Sequence, residues 1–301
     1  MKSRMRFLYV DTYVHHKNRI GFILMCKAKN IELVITKDMN KFHESWDLVF
    51  VPSEYIHPKF FPNTKHIMYG PQNFVFVNGP WLKGATYFPP NCFYNLLSDW
   101  VIDVQNEMGG LSLESKSIPF AVDIEKFSPK QSEKKYDCFV YFKNRNLADL
   151  AFIEEELKER NLHYTVLHYG HYKEDDYLEI IHNSRFGIWV GGSESQGFAL
   201  EESLSCNVPL LVWNCTNMFQ VYDSNNKLVM ESYIGKCILK CTSIPYWDSR
   251  CGLVFTEKAE FSNTLTRMLT DYLEFEPRNF ILETLSPEVC VERLLKEIEK
   301  T

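Results

Sequence analysis

Short apolar runs punctuated by polar turns dominate the chain. "RFLYVD" (6–11), "IELVIT" (31–36), "DLVFVP" (47–52) and "HIMYG" (66–70) are rich in β-branched and aromatic residues, the pattern of strands. Between the first two, "NRIGFILMCKAKN" (18–30) has helical spacing. This alternation predicts parallel strands covered by helices. Residues 92–109 read as one helix closed by Gly109 and Gly110. The stretch "SIPFAVDIEKFSPKQSEKKYD" then carries two prolines and a charged run, as boundaries between domains do. Beyond it the pattern restarts, with strands at 138–142, 164–170, 186–192 and 209–213 and helices at 147–160 and 174–182. Two successive α/β domains are predicted, 1–128 and 129–275, followed by a helical tail, 276–301. In that tail Ser286 is a plausible N-cap, Pro287 the first helical residue and Glu288 an acid in the first turn.

Composition narrows the partners. The 301 residues are 45% hydrophobic, 24% charged and 15% aromatic, the balance of a globular protein with large cores. A net charge of −6 argues against an extended nucleic-acid surface, while leaving room for a local basic pocket. Nine cysteines are spread singly, with no C-x-x-C pair, which favours reduced thiols and a cytoplasmic address over a disulfide framework. The N-terminal apolar run is too short for a signal peptide, and no run approaches the ~20 apolar residues of a spanning helix. Peripheral contact with a membrane stays open. "NCT" (214–216) matches a glycosylation sequon and reads as chance.

The candidate chemistry lies in "GGSESQGFALEESLSCNVPLLVW" (191–213). "FGIWV" and "PLLVW" are apolar at nearly every position, as buried parallel strands are, and only a short helix fits between them. Ligands of open α/β sheets bind at the carboxyl ends of strands, where "GGSESQG" falls. Gly197 permits close backbone approach, and a helix starting there points free N–H groups at an anion such as a diphosphate. Glu194 and Glu202 can accept hydrogen bonds from hydroxyls on either side. The simpler reading is that acids near a helix start answer only the dipole. Asn207 suits the left-handed turn that ends a helix, and Glu201 is assigned to the surface.

The eight-residue step from Glu194 to Glu202 is the E-x7-E arrangement, and its surroundings resemble the signature of retaining glycosyltransferase family 4, which has the GT-B fold. "IPFAVDIEKFSP" (118–129) resembles that family's segment ahead of its second domain, and "HYGHY" through "GGSES" follows its order of elements. The resemblance implies two Rossmann-like domains facing a cleft, with the C-terminal helix returning to the first. It implies a nucleotide-sugar donor, UDP- or GDP-linked, on the second domain and a hydroxyl-bearing acceptor on the first. By position, Glu194 meets donor-sugar hydroxyls and Glu202 the ribose. Gly197, Phe198, Ala199 and Ser195 line the donor, with Gly170 in the "HYGHY" loop near the base. Lys143 and Arg145 are both candidates for the diphosphate, and the sequence does not choose between them.

The chain also departs from that family. "VDTYVHHKNRIG" has no glycine before Gly21, where a glycine-rich loop is usual, and Phe120-Ala121 replaces Asn-Gly. A functional histidine is replaced by Gln72 and Asn73, leaving His15, His16 and His66 as alternatives on the acceptor side. No D-x-D run or metal-ligand cluster is visible, so a reaction without metal or cofactor is expected. Two rivals keep a related fold: a catalytically silent module that binds nucleotide or glycan, and a nucleotide-sugar epimerase. A dinucleotide oxidoreductase is disfavoured because no G-x-G-x-x-G follows a strand.

Overall fold

The apolar runs pair as parallel strands in two separate sheets. The computed structural model describes residues 4–72, 75–229 and 239–300. The chain divides into two units, one holding residues up to Asp123 and again from Leu285, the other Ile124–Thr284.

The first unit begins β1 (Arg6–Val10), α1 (His16–Ala28), β2 (Glu32–Thr36), β3 (Trp46–Val51) and β4 (Thr64–Tyr69). It continues with β5 (Cys92–Asn95), α2 (Asp99–Glu107) and β6 (Glu114–Lys116). The sheet is all parallel in the order β2-β1-β3-β4-β5-β6. Phe7, Leu8, Tyr9, Leu48, Val49 and Phe50 are fully buried, which explains why these strands read as continuous apolar runs. Residues 92–109 are therefore not one helix. Cys92, Phe93, Tyr94 and Asn95 are all buried and pair with β4 and β6, and the helix starts only after Ser98. Gly109 and Gly110 close it at φ 116° and 76°.

The second unit contains β7 (Tyr136–Lys143), α3 (Leu147–Glu159), β8 (Tyr164–His168), α4 (Glu174–His182) and β9 (Ser184–Gly191). Then come α5 (Phe198–Ser205), β10 (Leu210–Trp213), β11 (Gly252–Phe255), α6 (Phe261–Asp271) and α7 (Pro277–Thr284). Its sheet, also parallel, runs β11-β10-β9-β7-β8. The last helix, α8 (Pro287–Lys300), packs on α1, with Glu292 paired to Lys29 and Glu297 accepting from the buried Lys116. The stretch 276–301 is thus two helices that fall in different units.

The "IPFAVDIEKF" segment is used by both units. Phe120 is buried against Phe22 and Phe50, 6.1 and 5.7 Å between ring centres. A Cβ added at Gly21 would lie 2.6 Å from the Ala121 carbonyl, so this glycine serves close packing of α1 on the segment. Further on, the Phe127 carbonyl accepts from Ser205 Oγ at 2.6 Å and from Arg278 at 3.2 Å, tying the segment to α5. Among the described residues no helix is long and apolar enough to cross a membrane.

Candidate functional site

In an open parallel sheet the crevice forms where strand order reverses direction, outside the carboxyl ends of the two strands involved. In the second unit β7 is flanked by β8 on one side and β9 on the other, so the reversal lies between β7 and β9. The sequence sends Lys143 to the end of β7 and Gly191-Gly192 to the end of β9. The two loops are stitched there: the Gly192 N–H donates to the Lys143 carbonyl at 2.7 Å. A Cβ on Gly192 would meet the Asn144 carbonyl at 2.7 Å, so the close approach requires glycine.

Across this point Lys143 Nζ and the Glu194 carboxylate form an ion pair at 2.8 Å, with the side chains 18% and 9% exposed. Nζ also lies 4.4 Å from the centre of the Tyr169 ring. Glu194 is anchored through its backbone, whose N–H donates to the Thr242 carbonyl at 3.0 Å. Arg145 is placed differently. Its guanidinium is buried, 3.2 Å from Asp149, 3.4 Å from the Gly191 carbonyl and 4.9 Å from the Trp213 ring centre. Of the two basic candidates, the structure joins Lys143 to Glu194 and commits Arg145 to the interior.

The loop "SESQG" turns into α5 at Gly197, whose φ of 97° and ψ of 44° favour glycine. Ser195, Phe198 and Ala199 are half-buried along this turn, and the Ala199 carbonyl accepts from Tyr177 Oη. Glu202 is buried on α5, and its charge reaches Tyr172, Tyr177 and Lys126. Burial, joined by the charges of Glu202 and Glu194, pushes the Tyr172 phenol up to about 12. Its hydroxyl also pairs with Tyr141 Oη at 2.9 Å. Gly170, exposed at φ 79°, turns the chain between Tyr169 and Tyr172. The helix stops at Asn207, in the left-handed region at φ 60°.

Glu201 corrects the reading that put it on the surface. It is fully buried, because α5 is covered on nearly every face, and it accepts from Gln196 Nε2 at 3.0 Å. Burial raises its carboxyl well above the usual range, against the Gln196 hydrogen bond and with help from the charges of Glu202 and Glu194. Sequence reasoning also missed Tyr169 and Tyr172. Their signal was the aromatic density of the "HYGHY" stretch.

The acceptor-side candidates do not converge in the same way. His15 and His16 sit, exposed, at the start of α1, with rings 4.8 Å apart. Gln72 exchanges hydrogen bonds with Asn78, and His66 is inside β4. Asn73 lies outside the described residues. A cavity of about 510 Å³ in this unit, beside His57, Lys59 and Tyr87, opens near Thr64 at the amino end of β4, and none of these candidates lines it.

Two parallel-sheet α/β units of this kind define the GT-B class of fold. Solved structures with that architecture align over nearly the whole chain. The lipopolysaccharide outer core galactosyltransferase WaaB, in apo form, is 12% identical with a TM-score of 0.55, covering 98% of this chain and 99% of its own. Sucrose-phosphate synthase from Thermosynechococcus elongatus is 9% identical at a TM-score of 0.53, with 99% of each chain covered. The N-terminal domain of a Candida albicans trehalose-6-phosphate phosphatase is 11% identical at 0.56, covering 100% of this chain and 97% of that one. At such identities the likeness is one of fold. No protein-family model and no curated protein sequence matches the chain.

Proposed function

We propose that the protein is a retaining glycosyltransferase that moves a sugar from a UDP- or GDP-sugar to an acceptor hydroxyl, without metal or cofactor. The observation that carries this reading is the Lys143–Glu194 pair at the strand-order reversal, beside the glycine-headed α5. As the bond from the anomeric carbon to the diphosphate breaks, positive charge builds on the sugar ring and negative charge on the leaving group. Lys143 and the N–H groups of Gly197, Phe198 and Ala199 stabilise the diphosphate. Glu194 accepts from the sugar hydroxyls and sets a negative charge beside the ring, and Glu202 accepts from the ribose. Ser195 and Gly170 border the same donor. The acceptor oxygen bonds to the anomeric carbon on the face the diphosphate leaves, and its proton passes to the departing phosphate. Arg145 supports the loop from inside, and His15, His16, Gln72 and Asn73 remain the acceptor-side assignment.

The test is sugar release and transfer from a panel of UDP- and GDP-sugars, with the wild type, Glu194→Ala and Lys143→Ala. Each substitution lowers turnover by about 100-fold or more, the usual effect of losing one preorganised electrostatic partner. Full activity in both variants rejects the site. Donor binding without sugar release supports the silent module instead, and an epimerised donor supports the epimerase.

A further inference from the structure

Two cysteines touch beneath the loop that carries Glu194. Cys215, just past β10, and Cys241 are both buried, with Sγ atoms 3.3 Å apart. They belong to a hydrogen-bond lattice that ends on that loop. The Cys215 N–H donates to Ser243 Oγ at 3.0 Å, and Ser243 Oγ donates to the Gly191 carbonyl at 3.1 Å. Asn214 Oδ1 accepts from Thr242 Oγ1 and from the Ser243 N–H, both at 2.9 Å. Thr242, next to Cys241, accepts the Glu194 N–H through its carbonyl.

The two thiols are not equivalent. A hydrogen bond from the Cys241 thiol, aided by the Arg145 charge, holds Cys215 below the ordinary thiol range, while the same contact and burial drive Cys241 upward. A thiol lowered beside a cation, with a second thiol in contact, is the arrangement of an attacking and a resolving cysteine.

We propose that Cys215 and Cys241 form a reversible dithiol–disulfide couple whose closure tightens the loop carrying Glu194. With hydrogen peroxide as oxidant, the Cys215 thiolate attacks one peroxide oxygen, giving the sulfenic acid and releasing hydroxide, which takes up a proton. The Cys241 sulfur then attacks the Cys215 sulfur, and the sulfenic oxygen leaves as a second water. Two thiols and one peroxide become one disulfide and two waters. Closure shortens the sulfur separation from 3.3 Å to about 2.05 Å and draws Thr242, with its hold on Glu194, toward β10. The consequence for donor turnover rests on the proposed function; the disulfide does not.

The experiment treats the full, reduced chain with hydrogen peroxide, blocks remaining thiols with N-ethylmaleimide, and maps linked peptides by mass spectrometry. The expected result is two of the nine thiols lost, in a Cys215–Cys241 link that dithiothreitol reverses and that Cys215→Ser or Cys241→Ser abolishes. Nine labelled thiols, or a link joining Cys241 to Cys237 or any other pair, overturns the couple. Hydrogen exchange in the peptide containing Glu194 reads the coupling without requiring activity. The oxidised chain exchanges there several-fold more slowly than the reduced one, and equal rates overturn the effect on the loop.

Discussion

The first strand of each sheet ends in a charged pair, and the two pairs differ in reach. After β1, Asp11 is met at 2.5 Å by Arg19 of the adjoining α1, over the Tyr9 ring. At the end of β7, Lys143 is met by Glu194, fifty-one residues on and across the strand-order reversal. The first pair braces one turn, with both side chains more than a third exposed. The second joins two loops, each fixed by its own strand, and is largely buried. A pair that spans the reversal ties together the loops after two different strands, which a local pair does not.

Substitutions that separate support from contact sharpen this comparison. The largest stability effect is expected at Arg145→Ala, which removes a buried guanidinium from Asp149, Gly191 and Trp213. Urea unfolding should show a loss of about 3 kcal/mol or more, the scale of a broken buried ion pair. Lys143 is more exposed than Arg145, so Lys143→Ala should cost less stability than Arg145→Ala while donor turnover collapses. The reverse outcome would make Arg145 the donor contact and Lys143 the brace.

Glu201→Gln should act through pH. The folded carboxyl keeps its proton above the usual carboxylate range, whereas the unfolded one loses it there. Raising the pH through that range therefore favours unfolding, until the folded group ionises as well. Glutamine removes this penalty and still offers Gln196 an acceptor. The variant should match the wild type at pH 4 and melt higher at pH 8, by about 2 °C or more. An equal melting point at both pH values would mean that Glu201 is ionised in the folded chain. The smallest effect belongs to Arg19→Ala, since exposed pairs contribute about 0–1 kcal/mol. A donor-binding defect in that variant would erase the contrast between the two strand ends.

Much of this was legible in residue order. β1, β3, β7 and β9 could be read because strands buried on both faces must be apolar throughout, and Asn207 because few residues tolerate a left-handed turn. β5 was misread because four buried residues continue into a true helix, leaving no periodicity to separate them. β6, "ESK", was invisible because an edge strand need not be apolar. Lys143 and Arg145 could not be told apart, since their spacing says nothing of which side chain folds back under Trp213. Glu201 misled for the opposite reason: an acid is presumed solvated until a neighbour such as Gln196 is seen to hold it. Gly21 marked only where the glycine-free stretch after β1 ends, and its packing role, a missing Cβ that makes room for Ala121, had no signal in the residue order.

Isothermal titration of UDP and of GDP into the wild type, Lys143→Ala and Arg19→Ala tests the central claim most directly. The account predicts that at least one nucleotide binds the wild type and Arg19→Ala alike, and binds Lys143→Ala about tenfold or more weakly, a loss of about 1.4 kcal/mol. Binding unchanged by Lys143→Ala, or no binding of either nucleotide to the wild type, would contradict it.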